Sequence, residues 1–161
     1  MNEKIIVPLD GSFVGESALP YVKDLLSKLS PQVYTEVILL HVVSPANTTM
    51  MYGAEGAVPD LVQSEAQTEK SKTAALEYLD KTAGLLKTAG VTVTTKVVVG
   101  DASEEIVKAA EEVDANLIAM STHGRSGISR WAFGSVTDKV LRREGRIPIA
   151  MIKAPKKSKS E

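Results

Sequence analysis

The sequence contains no cysteine, which excludes a disulfide framework and any metal site built on thiolates. No apolar run approaches the roughly 18 residues that a membrane-spanning helix requires. The opening stretch MNEKIIVPLDGS has an apolar core that is too short for a signal peptide. These absences lead us to expect a cytoplasmic protein that makes no contact with a membrane.

Two widespread phosphate-binding motifs are missing as well. There is no G-x-x-x-x-G-K-[ST] segment, which argues against a P-loop motor or kinase. No G-x-G-x-x-G follows the first apolar run, where PLDGS stands instead. The net charge of −1 gives no general attraction to nucleic acids, so we predict no nucleic-acid partner. Lysine is concentrated at the end of the chain, in KAPKKSKSE, as in a solvated terminal tail.

The composition is that of an ordinary globular protein, with 161 residues, 43% of them hydrophobic and 24% charged. We expect one domain over residues 1–153 and a basic, disordered tail over residues 154–161. Strand-like segments alternate with segments of helical spacing, and the strand-like ones are KIIVPL, EVILLHVV, VTVTTKVVV, LIAM and IPIAMI. This order predicts an α/β fold, a single doubly wound domain whose five-stranded parallel sheet has helices on both faces.

Apolar residues recur at helical spacing between several of these strands. Residues 18–29 predict a helix that tolerates Pro20 only in its first turn, where the missing N–H is not needed. Residues 76–86 predict a second helix, which we expect to stop at Gly90. Residues 44–62 contain proline and glycine without any period, so we predict a long loop there.

Two sequence signals predict where the later helices begin. DASE is typical of a capping box, in which Asp101 caps the helix and Glu104 reaches back to it. In GSVTD, Ser135 is a candidate cap, and Asp138 completes a similar arrangement.

The stretch MSTHGRSGISRWAFGSVTDK lies between the fourth strand and the last helix and is long for a simple connection. Gly124 and Gly127 allow close backbone approach to an anion, and several hydroxyls add uncharged donors. The helix start after the loop contributes free N–H groups. In α/β folds this position, at the carboxyl ends of the strands, is where phosphates bind. The loop therefore predicts a phosphate cradle; the alternative is that Gly and Ser only form a flexible connection.

At this loop the sequence resembles the universal stress proteins, and the resemblance covers essentially the whole chain. The family's nucleotide-binding pattern is Gly, two residues, Gly, nine residues, then Gly and Ser or Thr. It aligns here with Ser121, Gly124, Gly134 and Ser135, so the first glycine is replaced by serine. Because serine is small, we expect weakened rather than abolished binding. On the same reasoning, Ser121→Gly should tighten binding modestly or leave it unchanged.

The resemblance implies an adenine-nucleotide alpha hydrolase-like arrangement that binds ATP or AMP with Mg²⁺ and acts as a sensor or regulator through nucleotide-dependent conformation. It implies that the backbone near Pro8, Leu9 and Val42 meets the adenine. Asp10 would lie near the base and ribose, or help with a metal. The remaining implied site residues, at the phosphates and ribose or beside them, are Met120, Ser121, His123, Gly124, Arg125, Ser126, Gly127, Gly134, Ser135, Val136 and Thr137.

Other interpretations stay open at this point. Asp10 is also ordinary turn chemistry in DGS, and His41 is more typical of a packed histidine than of a catalyst. Two histidines without cysteine do not predict a metal site of their own, and no catalytic set can be assigned from spacing. The chain could be a slow ATPase or a nucleotide-transferring enzyme, for which His123, Arg125 and Asp10 are the candidates. It could also be an interaction module that binds no nucleotide.

The last strand predicts a homodimer. RIPIAMIK is short and apolar, and Pro148 places it at a sheet edge or begins the strand. An open apolar edge invites pairing, which two copies can satisfy for each other around a two-fold axis. The resemblance implies the same. The alternative is that Lys153 and the basic tail protect the edge and keep a monomer. We also expect a protein partner that responds to the nucleotide state.

Overall fold

The structure, a computed structural model, describes residues 2–30, 32–45, 61–86, 91–122, 135–143 and 145–155. The strands are β1 (Asn2–Pro8), β2 (Tyr34–Val43), β3 (Val91–Val99), β4 (Leu117–Thr122) and β5 (Ile149–Lys153). The helices are α1 (Phe13–Glu16), α2 (Ala18–Lys28), α3 (Leu61–Ala83), α4 (Ala102–Glu112) and α5 (Ser135–Arg142). Within the described ranges, no helix is long and apolar enough to cross a membrane.

The five strands form one parallel sheet in the order β3-β2-β1-β4-β5. From the central strand β1, the sheet extends through β2 to β3 on one side and through β4 to β5 on the other. The order therefore reverses between β1 and β4, as in doubly wound folds. The middle residues of β1 and β2 are buried in unbroken runs, because both faces of the sheet are covered. The predicted fold class is confirmed.

Alternate residues of the strands pack into two separate cores. Ile5 and Val7 lie in one cluster with Leu39, together with buried side chains of α2 and α3. Ile6 lies in the other cluster with Ile118, together with side chains of α4 and α5. This alternation follows from the two-residue period of a strand, which sends successive side chains to opposite faces. Helices thus cover both faces, as predicted.

The predicted helix boundaries are correct in part. Pro20 is the third residue of α2, so it lies in the first turn, as expected. The predicted stop of the second helix at Gly90 is wrong, because α3 already ends at Ala83. The N–H groups of Leu85 and Leu86 bond three residues back, which tightens the chain into a turn. The helix also begins at Leu61, earlier than its apolar pattern indicates.

The capping predictions hold for the cap itself but not for the partners. Asp101 caps α4 and accepts from the backbone N–H groups of Ser103 and Glu104, at 3.0 and 3.2 Å. The carboxylate of Glu104, however, accepts from Arg143, the residue after α5, at 2.8 Å instead of reaching back to the cap.

In α5, Ser135 is already the first helical residue, so the cap position before it, Gly134, lies outside the described residues. Asp138 accepts from Arg142 at 2.8 Å, an i,i+4 pair along the helix surface, rather than completing a box at the helix start.

Candidate functional site

A cleft opens where the sheet changes direction. β1 pairs with β4 at Ile5–Leu117 and Ile6–Ile118, whereas its pairing with β2 continues to Pro8. Past the last β1–β4 pair, the carboxyl ends of the two strands are therefore not joined by the ladder. In open parallel sheets this position is where ligands bind.

A cavity of about 280 Å³ occupies this cleft. Its lining comes from the ends of β1, β2 and β4, from the loop after β1 and α1, and from the N-terminal parts of α4 and α5. The lining residues are Pro8, Leu9, Asp10, Ser12, Val14, Gly15, Leu40, Val42, Ala102, Ile106, Met120, Ser121, Ser135, Val136 and Thr137.

The structure brings together the predicted site residues that it describes. These residues all line the cavity, and they are Pro8, Leu9, Asp10, Val42, Met120, Ser121, Ser135, Val136 and Thr137. The other predicted residues lie outside the described residues, and they are His123, Gly124, Arg125, Ser126, Gly127 and Gly134. The role of each residue in binding stays a prediction.

Six lining residues were not predicted from the sequence, and some of them left a signal. Leu40 precedes Val42 by two positions in β2, so it shares the same face of the sheet. Ala102 and Ile106 are four residues apart, directly after the predicted cap of α4, and therefore share one helix face. Ser12, Val14 and Gly15 belong to the loop and single turn of α1, which is too short to show a period.

The lining combines an apolar surface with hydroxyl and amide groups. Val14, Val42 and Val136 are partly exposed and supply aliphatic surface. Ser135 and Thr137 contribute hydroxyls from the first turn of α5, where backbone N–H groups have no acceptor within the helix. The dipole of α5 adds partial positive charge at this end. Such a lining suits a ligand with a flat apolar part and an anionic part.

Asp10 organises the turn that follows β1. Its Oδ1 accepts from the backbone N–H of Ser12 at 2.9 Å and from the Ser12 hydroxyl at 2.6 Å. The positive φ of Gly11 (78°) permits this tight turn. Partial burial opposes the ionisation of Asp10, but the Ser12 hydrogen bonds and the nearby His41 outweigh it and hold the pKa of Asp10 below its usual value. Asp10 is therefore an anion at neutral pH.

The short helix α1 is fixed by its neighbours on three sides. The Ser12 hydroxyl accepts from the backbone N–H of Gly15 at 3.0 Å. From β4, the Ser121 hydroxyl donates to the carbonyl oxygen of Gly15 at 3.2 Å. From α3, the Tyr78 hydroxyl donates to the carboxylate of Glu16 at 3.0 Å.

Tyr78 lies behind α1, with His41 beside it. Burial, together with the hydrogen bond to Glu16 and its charge, raises the pKa of Tyr78 to about 12. The rings of His41 and Tyr78 pack edge to face with their centroids 6.4 Å apart. In the part of the chain that the structure describes, the buried Nδ1 of His41 has no hydrogen-bond partner. His41 is thus a packed side chain at the end of β2.

Comparisons with known proteins agree with this architecture. Residues 1–153 match the model of the universal stress protein family. A universal stress protein of Methanocaldococcus jannaschii, MJ0531, is 30% identical over 157 residues, which cover 98% of this chain and 85% of that protein.

Solved structures show the same arrangement of strands and helices. The structure of MJ0577, also from Methanocaldococcus jannaschii, is similar with a TM-score of 0.66 and 29% identity, over 97% of this chain and 98% of that one. A universal stress protein family protein from Arabidopsis thaliana, solved with AMP bound, has a TM-score of 0.59 and 18% identity, over 95% of this chain and 92% of that one. At that identity, the second likeness supports the fold alone.

Proposed function

Because this chain belongs to the universal stress protein family, we propose that it binds an adenine nucleotide, ATP or AMP, in the cleft between β1 and β4. The nucleotide would act as a regulatory ligand that shifts the protein between conformations with different affinity for a protein partner. The observation that carries the proposal is the cavity itself, because it joins aliphatic strand surface to the open first turn of α5 at the point where the sheet reverses. The expected location in the cytoplasm stays a prediction.

The apolar part of the cavity supports a base-binding role. Val14, Val42 and Val136 offer aliphatic surface for a flat ring, and Pro8 and Leu9 bring backbone close to it. The N–H of Leu9 already donates to Leu40 at 2.8 Å, so that donor is used within the protein. The cavity volume of about 280 Å³ is close to the lower end of the range for small-molecule sites.

The polar part supports a role in holding phosphates and ribose. The N–H groups of the first turn of α5, which have no acceptor within the helix, and the hydroxyls of Ser135 and Thr137 are suitable donors to anionic oxygens. Mg²⁺ in nucleotide sites is commonly held by one or two carboxylates together with phosphate oxygens and water. The ionised Asp10 at the cavity fits that requirement. The universal stress protein family protein from Arabidopsis thaliana was solved with AMP bound, which is why AMP is one of the two nucleotides proposed for this chain.

The proposal is tested by isothermal titration of the full chain with ATP, AMP and GTP in the presence of Mg²⁺. We expect ATP or AMP to bind and GTP to bind clearly less well. Saturation by no adenine nucleotide at millimolar concentration would overturn the proposal. Gly124→Val should weaken binding strongly, since a β-branched residue blocks close backbone approach. Gly145→Val is the matched control, because a Cβ there would meet its nearest neighbour only at 4.0 Å.

The titration also separates the alternatives that the sequence left open. A module that binds no nucleotide would show no heat with any of the three ligands. A slow ATPase or nucleotide-transferring enzyme would bind and then release product, which a turnover assay with labelled ATP detects. Both alternatives stay predictions.

We also propose that the protein forms a homodimer through β5. Among the described residues β5 lies at one edge of the sheet, directly after Pro148. Its inner side is occupied, because Ile118 donates to Pro148 and Ala154 donates to Thr122. The N–H groups of residues 150 and 152 follow the same alternation and face β4, so those of 149, 151 and 153 face outward.

This register determines which proline variant tests the dimer. Met151→Pro removes an outward donor and leaves the ladder to β4 intact, as an edge strand tolerates. Ala150→Pro would instead break the ladder within the subunit and is unsuitable. Light scattering coupled to chromatography should show a dimer for the unmodified chain and a folded monomer for Met151→Pro. A monomer at tens of micromolar, or a dimer that Met151→Pro does not affect, would refute pairing through β5.

A further inference from the structure

A chain of hydrogen bonds connects the turn after β1, through α1, to β4, beyond the last paired residues of β1 and β4. It runs from Asp10 through Ser12 to Gly15, with contacts of 2.9 and 2.6 Å from Ser12 to Asp10 and 3.0 Å from Gly15 to Ser12. It ends with the 3.2 Å hydrogen bond from the Ser121 hydroxyl to the carbonyl oxygen of Gly15. The first contacts are local to one turn, whereas the last joins residues 106 positions apart in the sequence.

This last contact lies beyond the paired part of the two strands. The β1–β4 ladder ends at Ile6 and Ile118, and Ser121 follows three positions later on β4. Beyond the ladder α1 contacts β4, and Val14 and Gly15 of α1 form part of the cavity wall. The position of α1 relative to β4 therefore affects the shape of the cavity. Ser121 is the side chain that links the two by a hydrogen bond.

We infer that the Ser121 hydroxyl is a positioning group that holds α1 against β4 and thereby keeps the cleft in the shape that binds nucleotide. The inference rests on the proposed function, because it assigns Ser121 a part in nucleotide affinity. A glycine at this position has no side-chain donor and cannot form the link. The Ser121 hydroxyl therefore gives this chain a contact that glycine, the residue at this position in the family pattern that the sequence resembles, would not provide.

This inference predicts the opposite of the expectation drawn from the sequence, under which Ser121→Gly tightens binding or leaves it unchanged. If the serine side chain only intruded on the ligand, affinity would fall with side-chain size, so that Gly binds best and Thr worst. If the hydroxyl positions α1, then Ser and Thr bind well while Ala and Gly bind less well, because only the first two can donate to Gly15. The two accounts predict opposite rankings of the same four proteins.

The first measurement is isothermal titration of the full chain and its Ser121→Gly, Ser121→Ala and Ser121→Thr variants with ATP and Mg²⁺. We expect the Gly and Ala variants to bind about threefold to tenfold more weakly, the usual effect of one lost hydrogen bond. Rescue by threonine, to within about twofold of the unmodified chain, would separate the hydroxyl from side-chain size. Ser27→Ala is the control, since it also removes a hydroxyl that donates to a backbone carbonyl, at 2.7 Å within α2.

A second measurement needs no nucleotide and keeps this inference separate from the proposed function. Hydrogen exchange would follow the amides of Glu16 and Ser17, which donate to Ser12 and Val14 at 3.0 and 3.1 Å. We expect these amides to exchange faster in Ser121→Ala, and at the original rate in Ser121→Thr and Ser27→Ala. If the unmodified chain binds no adenine nucleotide, the proposed function fails. Faster exchange of the α1 amides in Ser121→Ala would still show that the Ser121 hydroxyl holds α1 in place.

Two results would overturn the inference. One is unchanged exchange of the α1 amides in Ser121→Ala, which would mean that the hydroxyl does not hold this turn. The other is an affinity ranking in which glycine binds ATP best and threonine worst, which would mean that the side chain acts by its size.

Discussion

Gly15 is the position where the geometry of α1 can be tested by adding a single carbon atom. A Cβ placed on Gly15 would lie 2.5 Å from Oδ1 of Asp10 and 3.4 Å from Oγ of Ser12. The first distance is far below van der Waals contact, so Gly15→Ala forces the Asp10 carboxylate to move. That carboxylate oxygen accepts both hydrogen bonds from Ser12, which are therefore weakened or lost.

The expected magnitude follows from two opposing terms. Loss of two hydrogen bonds on a solvent-accessible carboxylate destabilises the fold by about 1–3 kcal/mol. Alanine stabilises a helix by roughly 0.5–1 kcal/mol relative to glycine, which offsets part of this loss. We expect a net loss of about 0.5–2 kcal/mol in the free energy of unfolding.

A double-mutant cycle isolates the contact from helix propensity. In an Asp10→Ala background the obstructing oxygen is absent, so Gly15→Ala should be neutral or should stabilise by up to about 1 kcal/mol. The coupling between the two positions should then be about 1–3 kcal/mol, measured by urea unfolding of the four proteins. Gly145→Ala is the control, because its new Cβ would lie 4.0 Å from the nearest neighbour. Equal effects of Gly15→Ala in both backgrounds would refute the proposed collision with Asp10.

Two further predictions concern groups beside the cleft. Tyr78 has a pKa of about 12, above that of an unfolded tyrosine, so its neutral form stabilises the fold fully below about pH 10. The stability difference between the unmodified chain and Tyr78→Phe should therefore be constant up to about pH 10 and decline as the pH rises toward 12. Urea unfolding of both proteins across this pH range measures the difference. A difference that stays constant up to pH 12 would contradict the prediction. Asp101→Ala removes the cap of α4 and should lower Tm. Asp101→Asn should lower Tm less, because asparagine is also a good cap. Calorimetry of the three proteins checks this ranking, and equal Tm values would disprove it.

The features that the sequence predicts well are those that depend on local pattern. Continuous apolar strands separated by helical spacing predict a doubly wound sheet, and the sheet order then locates the cleft at the ends of β1 and β4. Asp101 is recognisable as a cap because its partners are two and three residues away. Long-range partners leave no such trace. Glu104 pairs with Arg143, 39 positions away, and this tertiary contact replaces the local capping box.

The same distinction explains what was missed at the site. Helix α1 has four residues, too few to show a period, and yet it supplies Val14 and Gly15 to the cavity wall. The hydrogen bond from Ser121 to Gly15 joins two residues that are 106 positions apart in the sequence. Alignment with a family pattern marks Ser121 as a departure but does not show which group its hydroxyl contacts.

The short pairing between β1 and β4 also has a consequence for folding. The register joins seven residues of β1 to β2 and nine of β2 to β3, but only two of β1 to β4. Asn116 adds two hydrogen bonds beside this ladder: its backbone N–H donates to the carbonyl oxygen of Lys4, and its Oδ1 accepts from the backbone N–H of Lys4. These contacts span 112 positions in the sequence, and contacts of such separation form late because the intervening loop must close first. We therefore expect the β1–β4 ladder to form after the β1–β2 ladder, whose two strands are closer in the sequence. A ligand bound in the cleft would touch the ends of both β1 and β4, and its binding energy would add to the stability of the folded chain.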